Sequence, residues 1–433
     1  MRDLYTLLML GARSFARWEI ETSQRILRSP RRLGLLGFML APVVLIGLAF
    51  AQAGEPDLPA MLGSKQAFSP AYYTPTIFTA SVAVGLVAGL ITGCIGAGGG
   101  FIIAPALMSA GVKGILAVGT DLFHIFAKAI MGSVLHRKLG NVSVPLAVIF
   151  LIGSIGGATL GGYINRQLYE TNPVLSDAFI TSIYVLLLGF LSFYGLIDYF
   201  RSRRQRRRQT VTLPTDASGE APEPVNNGGR DLPPLAQRLQ AVRLPPMIRF
   251  DAHVVPGGRR ISAWFLIVSG FIVGVAAAIM GVGGGFLTFP IFVYVLGVSA
   301  PTTVGTDILQ IVFTAGYAGI GQYAIYGFIF YTLAMGMLLG SLIGIQIGTL
   351  VTKVVSDVTI RGFFALAVMS AFVNRVFALP GRLASMNLIG WSPELCQLLE
   401  RIGIGIFFVT LSAFTAWVFW TFFANLKHLK HAQ

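Results

Sequence analysis

Two aspartates sit where an aspartate is expensive. Asp121 and Asp307 lie inside apolar stretches, each closing an identical Val-Gly-Thr-Asp string, Val118–Asp121 and Val304–Asp307. An acid inside a membrane helix costs roughly 3 kcal/mol on insertion scales, so two at matching places need a reason. One reading makes them proton carriers or gating partners. The other makes them N-caps of broken helices, with Thr120 and Thr306 as additional hydrogen-bonding groups. The two readings are compatible. His124 and Lys128 follow Asp121 by three and seven residues, on one helical face. The same face after Asp307 carries Gln310 and Thr314. Lys128 is the best single attractor for an anion, unless a buried acid such as Asp121 neutralises it. His124 suits a proton relay or a hydrogen-bonded core position. An Asp–His pair is too small a ligand set for a metal. No nucleophile–base constellation indicates an enzyme, and no cofactor is implied.

The second candidate group is glycine. Gly96, Gly98, Gly99 and Gly100 belong to Gly96-Ala97-Gly98-Gly99-Gly100-Phe101. Gly281, Gly283, Gly284 and Gly285 belong to Gly281-Val282-Gly283-Gly284-Gly285-Phe286. Glycine in series opens backbone conformations closed to other residues and lets a ligand approach closely. A half-helix starting near Phe101 or Phe286 would aim free N–H groups and a positive dipole end at the break, which suits an anion. Close helix packing through small residues is the structural alternative. No strand precedes either cluster and no Lys-Ser/Thr follows, so neither is a nucleotide-binding loop. Tyr317, Gln322 and Tyr323 are candidates to line a cavity. Asn374 and Arg375, near the outer end of an apolar run, read as interfacial anchors.

The elements that must position these residues follow from composition. The chain has 433 residues, 55% hydrophobic and 12% charged, against about 25% charged in soluble domains. Apolar runs near the ~20 residues that cross a bilayer recur at 113–136, 143–165, 178–200, 302–324, 328–350, 358–378 and 402–424. Residues 77–111 and 262–298 are longer and glycine-interrupted. As straight helices they would reach ~52 Å at 1.5 Å per residue, too long for a ~30 Å hydrocarbon core. Each must break and fold back.

The net charge of +14 is concentrated at two places. Residues 1–32 hold seven arginines against three acids, and 201–260 hold twelve arginines against five. Both flank apolar spans, where basic residues mark the cytoplasmic face, so nucleic acid is not the expected partner. Starting with the N-terminus inside, a hairpin at 77–111 delivers His136, Arg137, Lys138 and Arg201–Arg208 to the cytoplasm. A single crossing there would put the arginine run outside. Both termini are therefore expected on the cytoplasmic side of the inner (plasma) membrane. Cys94 and Cys396 are too few for a disulfide framework or a zinc site.

The halves also repeat. Besides the glycine clusters and Val-Gly-Thr-Asp strings, Pro105 answers Pro290, and Ser176-Asp177 answers Ser356-Asp357. Gly153-Ser154 with Gly157 and Gly161 answers Gly340-Ser341 with Gly344 and Gly348. The expected fold class is an all-α polytopic membrane protein of two inverted-topology repeats, each a glycine-broken hairpin plus three spanning helices, with one extra span at each end. Its parts are an interfacial helix at 1–32, an extra span at 33–53, repeat one at 77–200, a basic Pro/Gly-rich cytoplasmic linker at 201–260, repeat two at 261–378 and a last span at 402–424. Ala51-Gln52-Ala53 resembles a signal-peptidase site, but the long preceding segment favours an uncleaved span. The linker reads as a flexible tether. Inverted repeats with broken helices at matching positions characterise secondary transporters.

On these motifs the chain resembles the TauE/SafE sulfite-exporter family, also described as toluene-sulfonate uptake permeases, over about 77–200 and 262–424. The resemblance rests on the paired Gly-x-Gly-Gly-Gly-Phe segments, the proline four residues after each Phe, and the paired Val-Gly-Thr-Asp strings. It implies transport of sulfite, sulfonates, sulfoacetate or related compounds, often with proton coupling. It carries over to the matched glycines, Thr120, Asp121, Thr306 and Asp307. The expected function is thus a secondary transporter of a small sulfur-containing anion, proton-coupled and working by alternating access. Its partners are that anion, protons and lipid, with a homo-oligomer left open. The alternatives are an anion channel or a carrier of sulfate, thiosulfate or a carboxylate.

Overall fold

A computed structural model describes residues 74–95, 99–138, 142–211, 234–251, 258–351, 354–355 and 357–425. The helix expected at 1–32 and the span expected at 33–53 lie outside these residues. The described chain is an all-α polytopic membrane protein with one small β-hairpin. Seven of its helices are long and apolar enough to cross a membrane.

Both over-long segments break where glycine is densest. The first gives α1 (Pro75–Ile95) and α2 (Gly100–Ser109). Helices α3 (Gly114–Lys138), α4 (Val144–Thr171) and α5 (Pro173–Val211) follow. The second over-long segment gives α7 (Ala263–Met280) and α8 (Gly285–Pro290), and the return continues as a π-helical stretch, Ile291–Leu296. Next comes α9 (Ala300–Gly316), which passes into a second π-helical stretch, Tyr317–Ala324. The chain ends in α10 (Tyr331–Val351), α11 (Asp357–Ser385) and α12 (Pro393–Ala424). Helix α12 starts earlier than hydropathy alone suggests. The Ser392 hydroxyl caps it by accepting from Leu395 N, with Pro393 in the first turn and Glu394 at the positive dipole end.

The halves are joined by exchange. Helix α1 packs along α10 and α4 along α7, while α3 packs on α9 and α5 on α11. The first two pairs are glycine seams. A Cβ on Gly153 would overlap the Ile267 carbonyl oxygen, and one on Gly157 that of Phe271. In the other pair, a Cβ on Gly340 would overlap the Val82 carbonyl oxygen, and one on Gly344 that of Leu86. From the partner's side, Gly270 and Gly274 meet α4 backbone, while Gly85 and Gly89 meet α10 backbone. Small residues four apart let two helix backbones touch, which is how membrane helices associate without a hydrophobic driving force.

The linker departs from the tether expected of it. Helix α5 runs to Val211, residues 234–241 form α6 (Pro234–Ala241), and β1 (Met247–Phe250) pairs antiparallel with β2 (Arg259–Ser262). Ala236, Phe250 and Ile261 are buried, so this short piece has an apolar side that periodicity over four-residue strands could not reveal. It clasps the return of the second hairpin. Asp251 accepts from Ser299 N and Oγ (2.8 Å each) and from Thr302 Oγ1 (2.5 Å), just at the start of α9. Arg259 Nη1 donates to the Gly297 carbonyl (2.7 Å), and Gln240 Nε2 to that of Leu296 (2.8 Å). In the first half Asp177 does the corresponding work from α5, accepting from Gly114 N at 2.7 Å. Asp251→Ala leaves three donors short of an acceptor and is expected to cost about 1–3 kcal/mol. A lower unfolding temperature with earlier proteolytic cleavage between 234 and 262 would show it. Unchanged protease resistance would mean the clasp contributes nothing.

Candidate functional site

The second break is built from left-handed glycines. Gly281, Gly283 and Gly284 have φ of +79°, +67° and +89°, a region that L side chains avoid. The last carbonyls of α7 then point into protein with no helical partner and need donors. Tyr323 Oη donates to the Ala278 carbonyl (2.6 Å), Asn165 Nδ2 to that of Ile279 (3.1 Å), and Tyr184 Oη to that of Met280. Tyr323, one of the candidates to line a cavity, therefore holds the broken helix end. Asn165 and Tyr184, unremarked in the sequence, share the task. At the other side of the break, the Gly284 carbonyl accepts from Leu287 N and Thr288 N, both at 2.9 Å.

The two breaks meet. A Cβ built on Gly100 would lie 3.0 Å from Val282 Cα and 3.2 Å from Asp121 Oδ2. One on Gly285 would lie 2.9 Å from Asp307 Oδ2, and one on Gly281 2.7 Å from Val118 Cα. Each aspartate thus stands at the N-terminal end of its own half's return helix. Gly99 is also tightly enclosed, its Cβ direction facing the Ala88 carbonyl at 2.8 Å. Gly96 and Gly98 lie outside the described residues.

Around this junction run two related polar chains. In the first, His124 Nδ1 lies 3.4 Å from Asp121 Oδ1, and His124 Nε2 is 2.9 Å from Ser341 Oγ. Lys128, half-buried, reaches Thr92 Oγ1 at 3.4 Å. In the second, Gln310 Nε2 donates to Asp307 Oδ1 (2.8 Å), Thr314 Oγ1 to Gln310 Oε1 (2.8 Å), and Ser154 Oγ pairs with Thr314 Oγ1 (2.8 Å). Ser154 and Ser341 are the matched serines of the glycine seams, so each half's seam meets the other half's acidic helix.

The chains differ at one point. Asp307 is hydrogen-bonded, whereas both oxygens of Asp121 and Nδ1 of His124 have no hydrogen-bond partner among the described residues. Asp121 and His124 are wholly enclosed, each 0% exposed. A fully enclosed carboxyl without a donor is the group here best able to take up a proton or a ligand's hydrogen.

The two threonines have a different setting. Thr120 Oγ1 accepts from Phe330 N (2.9 Å), just ahead of α10, and Thr306 Oγ1 accepts from Ser143 N (3.0 Å), just ahead of α4. Both bonds cross between halves, so these oxygens tie loops to the site. Tyr317 and Gln322 form a separate group: Gln322 Nε2 donates to Tyr317 Oη (3.1 Å), and Arg166 Nη1 to Gln322 Oε1 (2.6 Å). Arg166 also lies over the Tyr326 ring, 4.0 Å from its centre.

Asn374 and Arg375 are not interfacial anchors. Each is 1% exposed, enclosed where α11 crosses the end of α2. Their place near a span end suggested lipid headgroups as neighbours. The packing of α2 behind them could not be read locally.

The sulfite exporter TauE/SafE family model matches residues 81–375, which take in both breaks and both buried aspartates. The chain belongs to the sulfite exporter TauE/SafE family. The chain is also similar to two probable membrane transporter proteins of Bacillus subtilis. YjnA is 24% identical over 62% of this chain and 87% of that protein, and YunE 23% identical over 65% and 91%. A third relative, sulfite exporter TauE/SafE family protein 6 of Arabidopsis thaliana, is 30% identical over 25% of this chain and 27% of its own length. No solved structure matches. Membership makes the chain a multi-pass membrane transporter, and the TauE/SafE segment ends at the buried Arg375.

Proposed function

We propose that this TauE/SafE-family transporter carries a small sulfur-containing anion across the inner membrane by proton-coupled alternating access. Its two repeats are read as inverted in the membrane, with both termini cytoplasmic. One observation carries this reading: the two glycine breaks converge, each with its own aspartate, and beside them Asp121 lies enclosed without a hydrogen-bond partner among the described residues. The anion would be held by N–H groups at the starts of Gly100–Ser109 and Gly285–Leu296, with Lys128 supplying positive charge. Asp121, with His124 beside it, would exchange the proton, and Asp307 would play the matching part in the second half. The glycine-seamed pairs α1/α10 and α4/α7 are suited to move as rigid units about α3 and α9. The anion class comes from the family resemblance and from the name of the Arabidopsis relative.

A channel for the same anion is the rival reading. The enclosure of Asp121 and His124 favours alternation, because a channel needs a continuous wet path through the site.

The test is flux of labelled sulfite and a panel of sulfonates in proteoliposomes, with and without a pH gradient. The expected result is saturable, gradient-dependent flux. Lys128→Ala should raise KM about tenfold, the loss of roughly 1.4 kcal/mol of anion binding. Flux that never saturates would favour the channel. Well-folded protein that moves none of these anions would remove the substrate assignment.

A further inference from the structure

The last turns of α4 carry a set of contacts that the converging breaks do not use. Arg166 is buried there. Its Nη1 donates to the Gln322 carbonyl at 2.8 Å and to Gln322 Oε1 at 2.6 Å, and its guanidinium lies 4.0 Å from the centre of the Tyr326 ring. Tyr169 meets the Phe328 ring edge-on at 5.3 Å, and its hydroxyl accepts from Lys113 Nζ at 3.1 Å. Arg166 and Tyr169 are three apart and share a helix face. The end of α4 thus grips the segment after α9 and the residue just ahead of α3.

The gripped segment is unusual. Tyr317–Ala324 is π-helical, a rare form that occurs mostly in short pieces and often at functional sites. The first half has no counterpart, since α3 stays α-helical to Lys138. Beyond the stretch, Tyr326 N and Phe328 N donate to the Tyr323 carbonyl and Gly327 N to that of Ala324, which leaves the Gln322 carbonyl to Arg166. Tyr323 holds the broken end of α7, and Asn165 Nδ2 donates to its hydroxyl at 2.8 Å. Adjacent residues of α4 therefore hold adjacent residues of the π-helical stretch, and one of the two pairs ends on the glycine break.

These contacts are of a kind that can part. Arg166 meets neutral acceptors and a ring, and among the described residues no carboxylate lies within ion-pair distance of it. Each such contact is individually weak. The α4/α7 seam, by contrast, is backbone against backbone, so α4 moves with α7. A shift of that pair against α3 and α9 pulls Arg166 from Gln322 and Tyr326, and Tyr169 from Phe328 and Lys113.

We propose that Arg166 and Tyr169 form a latch that closes this end of the transporter, with the π-helical stretch as the part that yields and Arg166 as a positioning residue for the glycine break. Its role as a gate rests on the alternating-access reading above, in whose topology this end faces outward. A static cap on the π-helical stretch would make the same contacts, so the test must read movement.

The experiment uses full-length protein with its two free cysteines, Cys94 and Cys396, replaced by alanine. Gly319→Cys is the reporter. Gly319 is buried, and a Cβ there lies 3.4 Å from Phe123 N of α3, an ordinary contact. Its rate of labelling by a water-soluble maleimide, in detergent, is compared with and without Arg166→Ala. Arg166→Ala is expected to raise that rate at least about fivefold by populating the open form, and Arg166→Lys, which keeps a cation, to raise it less. An Arg166→Ala protein that is not monodisperse leaves Tyr326→Leu, which removes only the ring, to make the same comparison. Separately, Tyr169→Cys with Phe328→Cys is joined in proteoliposomes by a reducible bifunctional thiol reagent. Joining is expected to lower flux at least about tenfold, with recovery on reduction, because a closed latch holds one state of the cycle. Full flux in the joined protein would overturn the latch, and so would labelling that ignores both Arg166 and Tyr326. Protein that moves none of the sulfur anions, yet labels in an Arg166-dependent way, would strike the substrate assignment and leave the latch standing.

Discussion

Asp121→Asn is expected to abolish gradient-driven transport, by at least ~100-fold or about 2.7 kcal/mol, in a protein that is as stable as the wild type or more so. The two halves of this expectation have different origins. The carboxyl at Asp121 is fully enclosed and has no hydrogen-bond partner among the described residues. An acid in that position gives little back for the cost of removing it from water, so an amide of the same shape costs nothing or stabilises. The amide cannot carry a proton, however, and it removes the negative charge nearest to His124 and facing Lys128. Asp307→Ala makes the contrast. It deletes the acceptor for Gln310 Nε2 and loosens a chain that continues through Thr314 to Ser154. That variant is expected to lose about 1–2 kcal/mol of stability along with activity. Paired flux and thermal-unfolding measurements separate the two cases. Wild-type flux in Asp121→Asn would remove this carboxyl from the mechanism.

The largest stability effect is expected at the glycine seams. A Cβ on Gly157 would overlap the carbonyl oxygen of Phe271, which is backbone and cannot swing aside. Gly157→Ala must push α4 and α7 apart. It is expected to cost about 3 kcal/mol, the upper end of typical overpacking, and Gly157→Leu should leave little folded protein. The neighbouring residue is the control. A Cβ on Gly156 would meet only Phe271 Cδ2, at 3.7 Å, an ordinary contact. Gly156→Ala should be neutral or gain up to about 1 kcal/mol, because alanine is the better helix former. The yield of monodisperse protein and its unfolding temperature would show the difference between adjacent positions. Equal behaviour of the two alanine variants would mean the seam is looser than its geometry indicates.

Some of this was open to reading along the chain. The breaks at Gly96–Gly100 and Gly281–Gly285 were legible because 35 apolar residues cannot cross a bilayer as one helix. The matching of Asp121 with Asp307 was legible because it is literal repetition. His124 and Lys128 were placed beside Asp121 by helical spacing alone, and the structure keeps all three around the first break. The glycines at 153, 157, 161, 340, 344 and 348 were legible as a repeat, but their work in joining one half to the other was not.

The linker and the outer cluster depart from what local sequence suggests for a common reason. Ala236, Phe250 and Ile261 are buried by contacts that short strands in a Pro- and Arg-rich segment do not announce. Asn374 and Arg375 stood near a span end, where lipid headgroups are the usual neighbours, yet they meet Pro105 and Ser109 across some 270 residues of chain. Thr120 and Thr306 were recognised by position, but their bonds to Phe330 N and Ser143 N cross from one half to the other.

The sequence by itself determined the solvent, the number and place of the breaks, the repeat and the family. Those depend on length, hydrophobicity and spacing, which are local properties of the chain. The tertiary structure alone decided that the breaks converge, that each seam serine meets the opposite acidic helix, that Asp121 lacks the partner Asp307 has, and that Arg375 is buried without a contacting acid among the described residues. Each of these is a contact between residues far apart in sequence, and it exists only once helices from both halves have closed on one another.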